Sequence, residues 1–74
     1  MTRPEILSAL RTDVDILAQA DEATVLAALP SWDSLAILLV VSHCEHVHDI
    51  EVHGPQVRAC HTVGDLLDLI QSLS

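Results

Sequence analysis

The stretch that most constrains this chain is "PSWDSLAILLVV", residues 30 to 41. Pro30 stops any helix arriving from the N-terminal side, because the residue before a proline is pushed out of the α region. The polar residues Ser31 to Ser34 then give way to an unbroken apolar run from Leu35 to Val41. That run is far too short to cross a bilayer. It reads as a helix starting at Asp33 or Ser34 and extending to about His48. At about 100° per residue, Ile37, Val40, Val41, Cys44, Val47 and His48 form the expected inward stripe. Leu35, Leu38 and Leu39 fall on the opposite side, beside Ser42, Glu45 and His46. Three leucines there exceed what a small bundle has to bury, so they are expected to form an exposed docking surface.

The rest of the chain supplies partners for that helix. Residues 4 to 18 carry Ile6, Leu7, Leu10, Val14 and Leu17 in steps of three and four, one face of a helix. Pro4 suits a first helical turn. Residues 19 to 33 form a long connection, with Val25, Leu26 and Leu29 pinning it to the core. Gly54-Pro55 opens a short third helix through about Ala59. Thr62 is the expected N-cap of a fourth, with Asp65 completing a capping box in place of the usual Glu. Val63, Leu66, Leu67, Ile70 and Leu73 give that helix its apolar face. The expected fold is all-α: a single domain over residues 1–74, built as a small four-helix bundle of three main helices plus a short third one, with a long loop between helices 1 and 2.

Composition narrows the function. Seventy-four residues leave little room for a deep catalytic cleft, and they include no Phe or Tyr and one Trp, so the core is aliphatic. The formal net charge is −8, with three arginines and no lysine. Such a chain repels phosphate backbones and anionic lipid, so neither nucleic acid nor membrane is an expected partner. Basic protein partners are favoured. Cys44 and Cys60 form no CxxC motif and are expected to pack as small hydrophobes. The N-terminal stretch lacks a continuous apolar core, so the chain is expected in the cytoplasm with reduced thiols. The histidines His43, His46, His48, His53 and His61 raise a zinc reading. They show no second ligand pair with finger-like spacing, and no metal site is expected.

Asp33 and Ser34 suit a helix start on their own account, since either side chain can accept a backbone N–H. Ser34 has no G-x-S-x-G elbow and no identifiable base, so it is not an expected catalytic nucleophile. No enzymatic activity is expected of the chain itself.

"WDSLAILLVVSHCEHVHDIEV" followed by "TVGDLLDLI" resembles the acyl carrier protein family. Asp33-Ser34-Leu35 matches the family's Asp-Ser-Leu motif unchanged, and Trp32 before it is common in carriers of specialised biosynthesis. Residues 21 to 29, "DEATVLAAL", resemble the family's first loop. The resemblance covers essentially the whole chain. It implies that Ser34 carries 4′-phosphopantetheine, a covalent arm taken from coenzyme A, whose thiol holds an acyl or aminoacyl group as a thioester. The implied partners are a phosphopantetheinyl transferase, a loading enzyme and downstream biosynthetic enzymes, met by a monomer through Asp33, Leu35, Leu38, Leu39 and Glu45. Where fatty-acid carriers usually show acids along helix 2, this chain has Ala36, Leu39, Glu45 and His46. That difference favours polyketide, peptidyl or aminoacyl pathways over a fatty-acid carrier. The alternative of another class is an unmodified carrier-like module that docks through helix 2.

Overall fold

The computed structural model describes residues 2–74. Four helices, α1 (Arg3–Asp13), α2 (Ser34–His48), α3 (Gly54–Arg58) and α4 (Val63–Leu73), pack into a small all-α bundle. Single 3₁₀ turns, Asp15–Leu17 and Leu26–Ala28, interrupt the long connection between α1 and α2.

Helix α1 begins with a capping box. The Thr2 hydroxyl accepts from Glu5 N–H, and the Glu5 carboxylate accepts from Thr2 N–H. Its end corrects the expected span of 4 to 18. Asp13 is its last residue, and Val14 is extended at φ −113° and ψ 101°. Thr12, Asp13, Val14 and Asp15 are all weak helix formers, and acids are unfavourable at the negative end of a helix dipole. The apolar period nevertheless survives the break. The 3₁₀ turn carries Leu17 back to the core, so Val14 and Leu17 are both buried although neither is in α1.

The connection is seated by backbone pairing as well as by side chains. Val25 and Thr62 form an isolated antiparallel bridge. Leu26 N–H donates to His61 O at 3.0 Å, Val63 N–H to Thr24 O at 3.0 Å, and Gly64 N–H to Glu22 O at 2.9 Å. A Cβ on Gly64 would lie 3.1 Å from that Glu22 oxygen, so the loop approaches α4 as closely as a glycine permits. Leu26 is fully buried, while Val25 and Leu29 are half-buried.

In α2, Ala36, Ile37, Val40, His43 and Cys44 are buried. The inward arc is therefore rotated by roughly 40° from the expected stripe, taking about 100° per residue. Val41 and His48 are half-buried at its edge. Val47 was expected inside and is 43% exposed. It lies toward the core side of the wheel but in the last turn of the helix. Asp49 ends α2 in the left-handed region at φ 53°, and the N–H groups of Asp49 and Ile50 close on Cys44 O.

Thr62 caps α4 as expected. Its hydroxyl accepts from Asp65 N–H, and the Asp65 carboxylate accepts from the N–H groups of Thr62 and His61. Those backbone bonds, that from Thr62 first, hold the Asp65 carboxyl below the usual carboxylate range. Val63, Leu66, Leu67 and Ile70 are fully buried; Leu73, in the final turn, is exposed.

Leu26 is a loop residue that closes the core, and a buried leucine truncated to alanine costs about 2–5 kcal/mol. Leu26→Ala is therefore expected to lower the urea midpoint sharply. Leu38→Ala, at an exposed position, should stay within about 0.5 kcal/mol of the parent.

Candidate functional site

Pro30 and Ser31 turn the chain into α2. Ser31 sits in the left-handed region at φ 68°, and Trp32 N–H donates to Leu29 O. The Trp32 ring packs half-buried against the core, which fixes where the next residue falls. Asp33 is then the N-cap. Its Oδ1 accepts from both Leu35 N–H and Ala36 N–H at 3.1 Å. Ser34, the first residue of α2, is exposed and free of capping. The two residues that sequence left as alternative caps thus divide the work. The Ser34 hydroxyl has one partner among the described residues: Nη2 of Arg58, at the end of α3, donates to Oγ at 3.3 Å.

The leucines lie where the helical wheel put them, with Leu35, Leu38 and Leu39 at 65%, 62% and 47% exposure. Leu35 and Leu39, with Ile16 and Ala36, line a shallow hollow of about 220 Å³ that Asp15, Ser31 and Asp33 complete. Ser34 does not line this hollow; its sequence neighbours Asp33 and Leu35 do. Glu45 does not join this neighbourhood. It is exposed near the far end of α2, about 16 Å along the axis at about 1.5 Å per residue.

A second cluster was not foreseen. His43 is buried, and its Nδ1 lies 2.8 Å from Oδ2 of Asp13 at the end of α1. Its Nε2 lies 3.2 Å from Nε2 of His48, with the rings edge-on and their centroids 5.1 Å apart. Two facing Nε2 atoms can share one proton, so one ring donates and the other accepts. No local sequence signal marks this set, because Asp13 and His43 are brought together across 30 residues by the α1–α2 packing. A hollow of about 270 Å³, lined by Asp13, Leu39, Ser42, His43 and His46, opens beside the pair.

Neither cysteine is primed for chemistry. Burial pushes the Cys44 thiol up to about 11. Burial, followed by Asp65 and Asp68, raises that of Cys60, which is half-buried and reaches Gln56 O. Among the described residues, no three His, Cys, Asp or Glu side chains are arranged to hold a metal ion. No helix there is long and apolar enough to cross a membrane.

No family model matches the chain, and comparison with curated proteins and with solved structures gave no match.

The histidine pair generates a pH prediction. Burial, and then the neighbouring His43, lowers the pKa of His48 in the folded protein. A histidine lowered in this way binds protons more readily when unfolded. Its contribution is complete above its unfolded value of about 6.5 and is lost as pH falls through the folded value. Thermal melts are expected to lose stability as pH drops from about 7 to 5, and His48→Gln should flatten that loss. An identical pH slope in the variant would contradict the assignment.

Proposed function

We propose that this chain is a carrier domain whose Ser34 is esterified by 4′-phosphopantetheine. The observation that carries the reading is the state of Ser34. Within an Asp-Ser-Leu motif, at the start of the long central helix of a small four-helix bundle, Asp33 does the capping and leaves the serine hydroxyl exposed. The residues present suit the group: an accessible oxygen and a guanidinium within reach of it.

In the loading step the Ser34 oxygen attacks the pantetheine-bearing phosphorus of coenzyme A. One O–P bond forms and the pyrophosphate O–P bond breaks. The nucleotide half leaves as a bisphosphate, and the serine proton passes to a base of the transferase. When bound, the arm supplies a thiol that carries acyl or aminoacyl groups as thioesters. The chain itself catalyses nothing in this reading. It fixes the point of attachment and raises the local concentration of cargo at each partner. The reading carries with it a cytoplasmic monomer and cargo from polyketide, peptidyl or related specialised biosynthesis. The exposed leucines beside Ser34 support docking to a loading enzyme; they equally support an unmodified docking module.

Incubation with coenzyme A and a phosphopantetheinyl transferase is expected to add one phosphopantetheine mass at Ser34. Ser34→Ala should abolish the addition and keep the fold, since Asp33 holds the cap. Modification at Ser31 or Ser42 would overturn the site, and no modification would favour the docking module.

Leu39→Glu tests the apolar surface. Circular dichroism and phosphopantetheinylation should be unchanged. Thioester formation by the chain's own loading enzyme should fall by about tenfold or more, given about 1.5–3 kcal/mol for burying one leucine. Unfolding of the variant would place Leu39 in the core, and unchanged loading would move docking elsewhere.

A further inference from the structure

Arg58 is the last residue of α3, and its guanidinium reaches Ser34 across 24 residues of sequence. Packing of α3 sets where its backbone lies. The preceding Val57 is fully buried and seats α3 against α2, and a Cβ added to Gly54 at the other end of α3 would lie 4.0 Å from Ile37 Cγ2. The chain has three cationic side chains against eleven acids. Arg3 is committed to Glu22 and Asp68. Arg11 donates through Nε to Ala18 O. Arg58 donates to a neutral hydroxyl, and among the described residues it forms no salt bridge. A guanidinium has five N–H donors, so most of its capacity is unused in this arrangement.

The electrostatics of the α2 terminus show what such a cation is needed for. A bare helix N-terminus amounts to about half a positive charge and favours an anion. Here that advantage is already taken. The N–H groups of Leu35 and Ala36 both point at Asp33, whose full negative charge adjoins Ser34. A phosphate on Ser34 therefore meets a spent terminus, a neighbouring carboxylate and a chain of net charge −8.

We propose that Arg58 is the counter-ion and positioning residue of the phosphodiester that joins the arm to Ser34. The inference rests on the carrier reading of the same serine. A phosphodiester bears one negative charge. Arginine is permanently cationic and presents a planar fork that matches phosphate oxygens. The guanidinium that donates to Oγ in the unmodified chain turns to the charged oxygens once the ester is made. It thereby offsets Asp33 and holds the root of the arm on the α3 side of α2.

Phosphorus NMR of the full-length protein, modified with coenzyme A and a phosphopantetheinyl transferase, tests this directly. Wild type, Arg58→Gln and Arg58→Lys are compared, each native and in urea. In the native wild type the phosphodiester resonance should be displaced from its urea position. In Arg58→Gln the native resonance should fall back to the urea position, and Arg58→Lys should restore part of the displacement. Added salt should shrink the wild-type displacement, as it does for exposed ion pairs. Melting curves check that the variants fold. If Arg58→Gln does not, the nitrogen-labelled wild type decides alone: the Arg58 Nε–H resonance shifts on modification if the guanidinium meets the phosphate. A displacement that is the same in all three proteins, or an unmoved Arg58 resonance on a modified chain, overturns the role of Arg58 and leaves the carrier reading standing. Failure of the wild type to gain mass at Ser34 overturns both.

Discussion

The antiparallel bridge between Val25 and Thr62 holds the connection onto α4, and the position of α2 follows from it. The chain between α1 and α2 has no long element of its own. Left in solvent it would carry a large conformational entropy and leave Leu26 exposed. Three backbone hydrogen bonds from residues 22 to 26 onto residues 61 to 64 remove that freedom. With Leu26 buried, the chain reaches Trp32 with its direction set. Trp32 packs on the core, Asp33 falls at the helix start, and Ser34 emerges beside α3. The candidate site is thus built by a loop pinned some ten residues upstream of it.

Electrostatics reinforce the same seating. Arg3, at the start of α1, donates to Glu22 in the connection, to Asp68 and Gln71 on α4, and to the carbonyl of Gly64. Hydrogen bonds that Arg3 donates to Glu22, and then to Asp68, raise its pKa above the usual arginine value. These are surface contacts, so their individual worth is small in salt. They join α1, the connection and α4 at one side chain. At the other end of α1, Asp13 stands at the unfavourable end of the helix dipole. It meets His43 there, which ties the α1 terminus to the middle of α2.

The core itself is aliphatic. Leucine, isoleucine and valine fill it, with Cys44 fully buried among them. Small branched side chains pack densely without the large, shape-demanding area of aromatic rings. The one tryptophan is used at the margin, where it steers the entry to α2.

Much of this was legible in the residues. Three- and four-residue apolar spacing marked α1, α2 and α4, and Thr62 with Asp65 marked a cap. The exposed face of Leu35, Leu38 and Leu39 followed from the wheel, because those positions depend on helical geometry alone. Thr2 and Glu5 formed a further capping box that the local pattern carried but Pro4 overshadowed. Tertiary structure decided the rest. The apolar period ran through Val14 to Leu17 without showing that the helix stops at Asp13, since a 3₁₀ turn returns side chains to the same core. The wheel could not reveal that the buried arc of α2 includes His43, because its partner Asp13 lies 30 residues away. Nor could it reveal that Val47 is left exposed. Asp33 and Ser34 were equivalent as caps on paper. The direction of the chain after Trp32 assigned the cap to Asp33, and the packing of α3 on α2 set Arg58 beside the freed serine. Local periodicity determines which residues form helices and which faces are apolar. Contacts between segments distant in sequence determine which polar groups meet, and no local pattern encodes those.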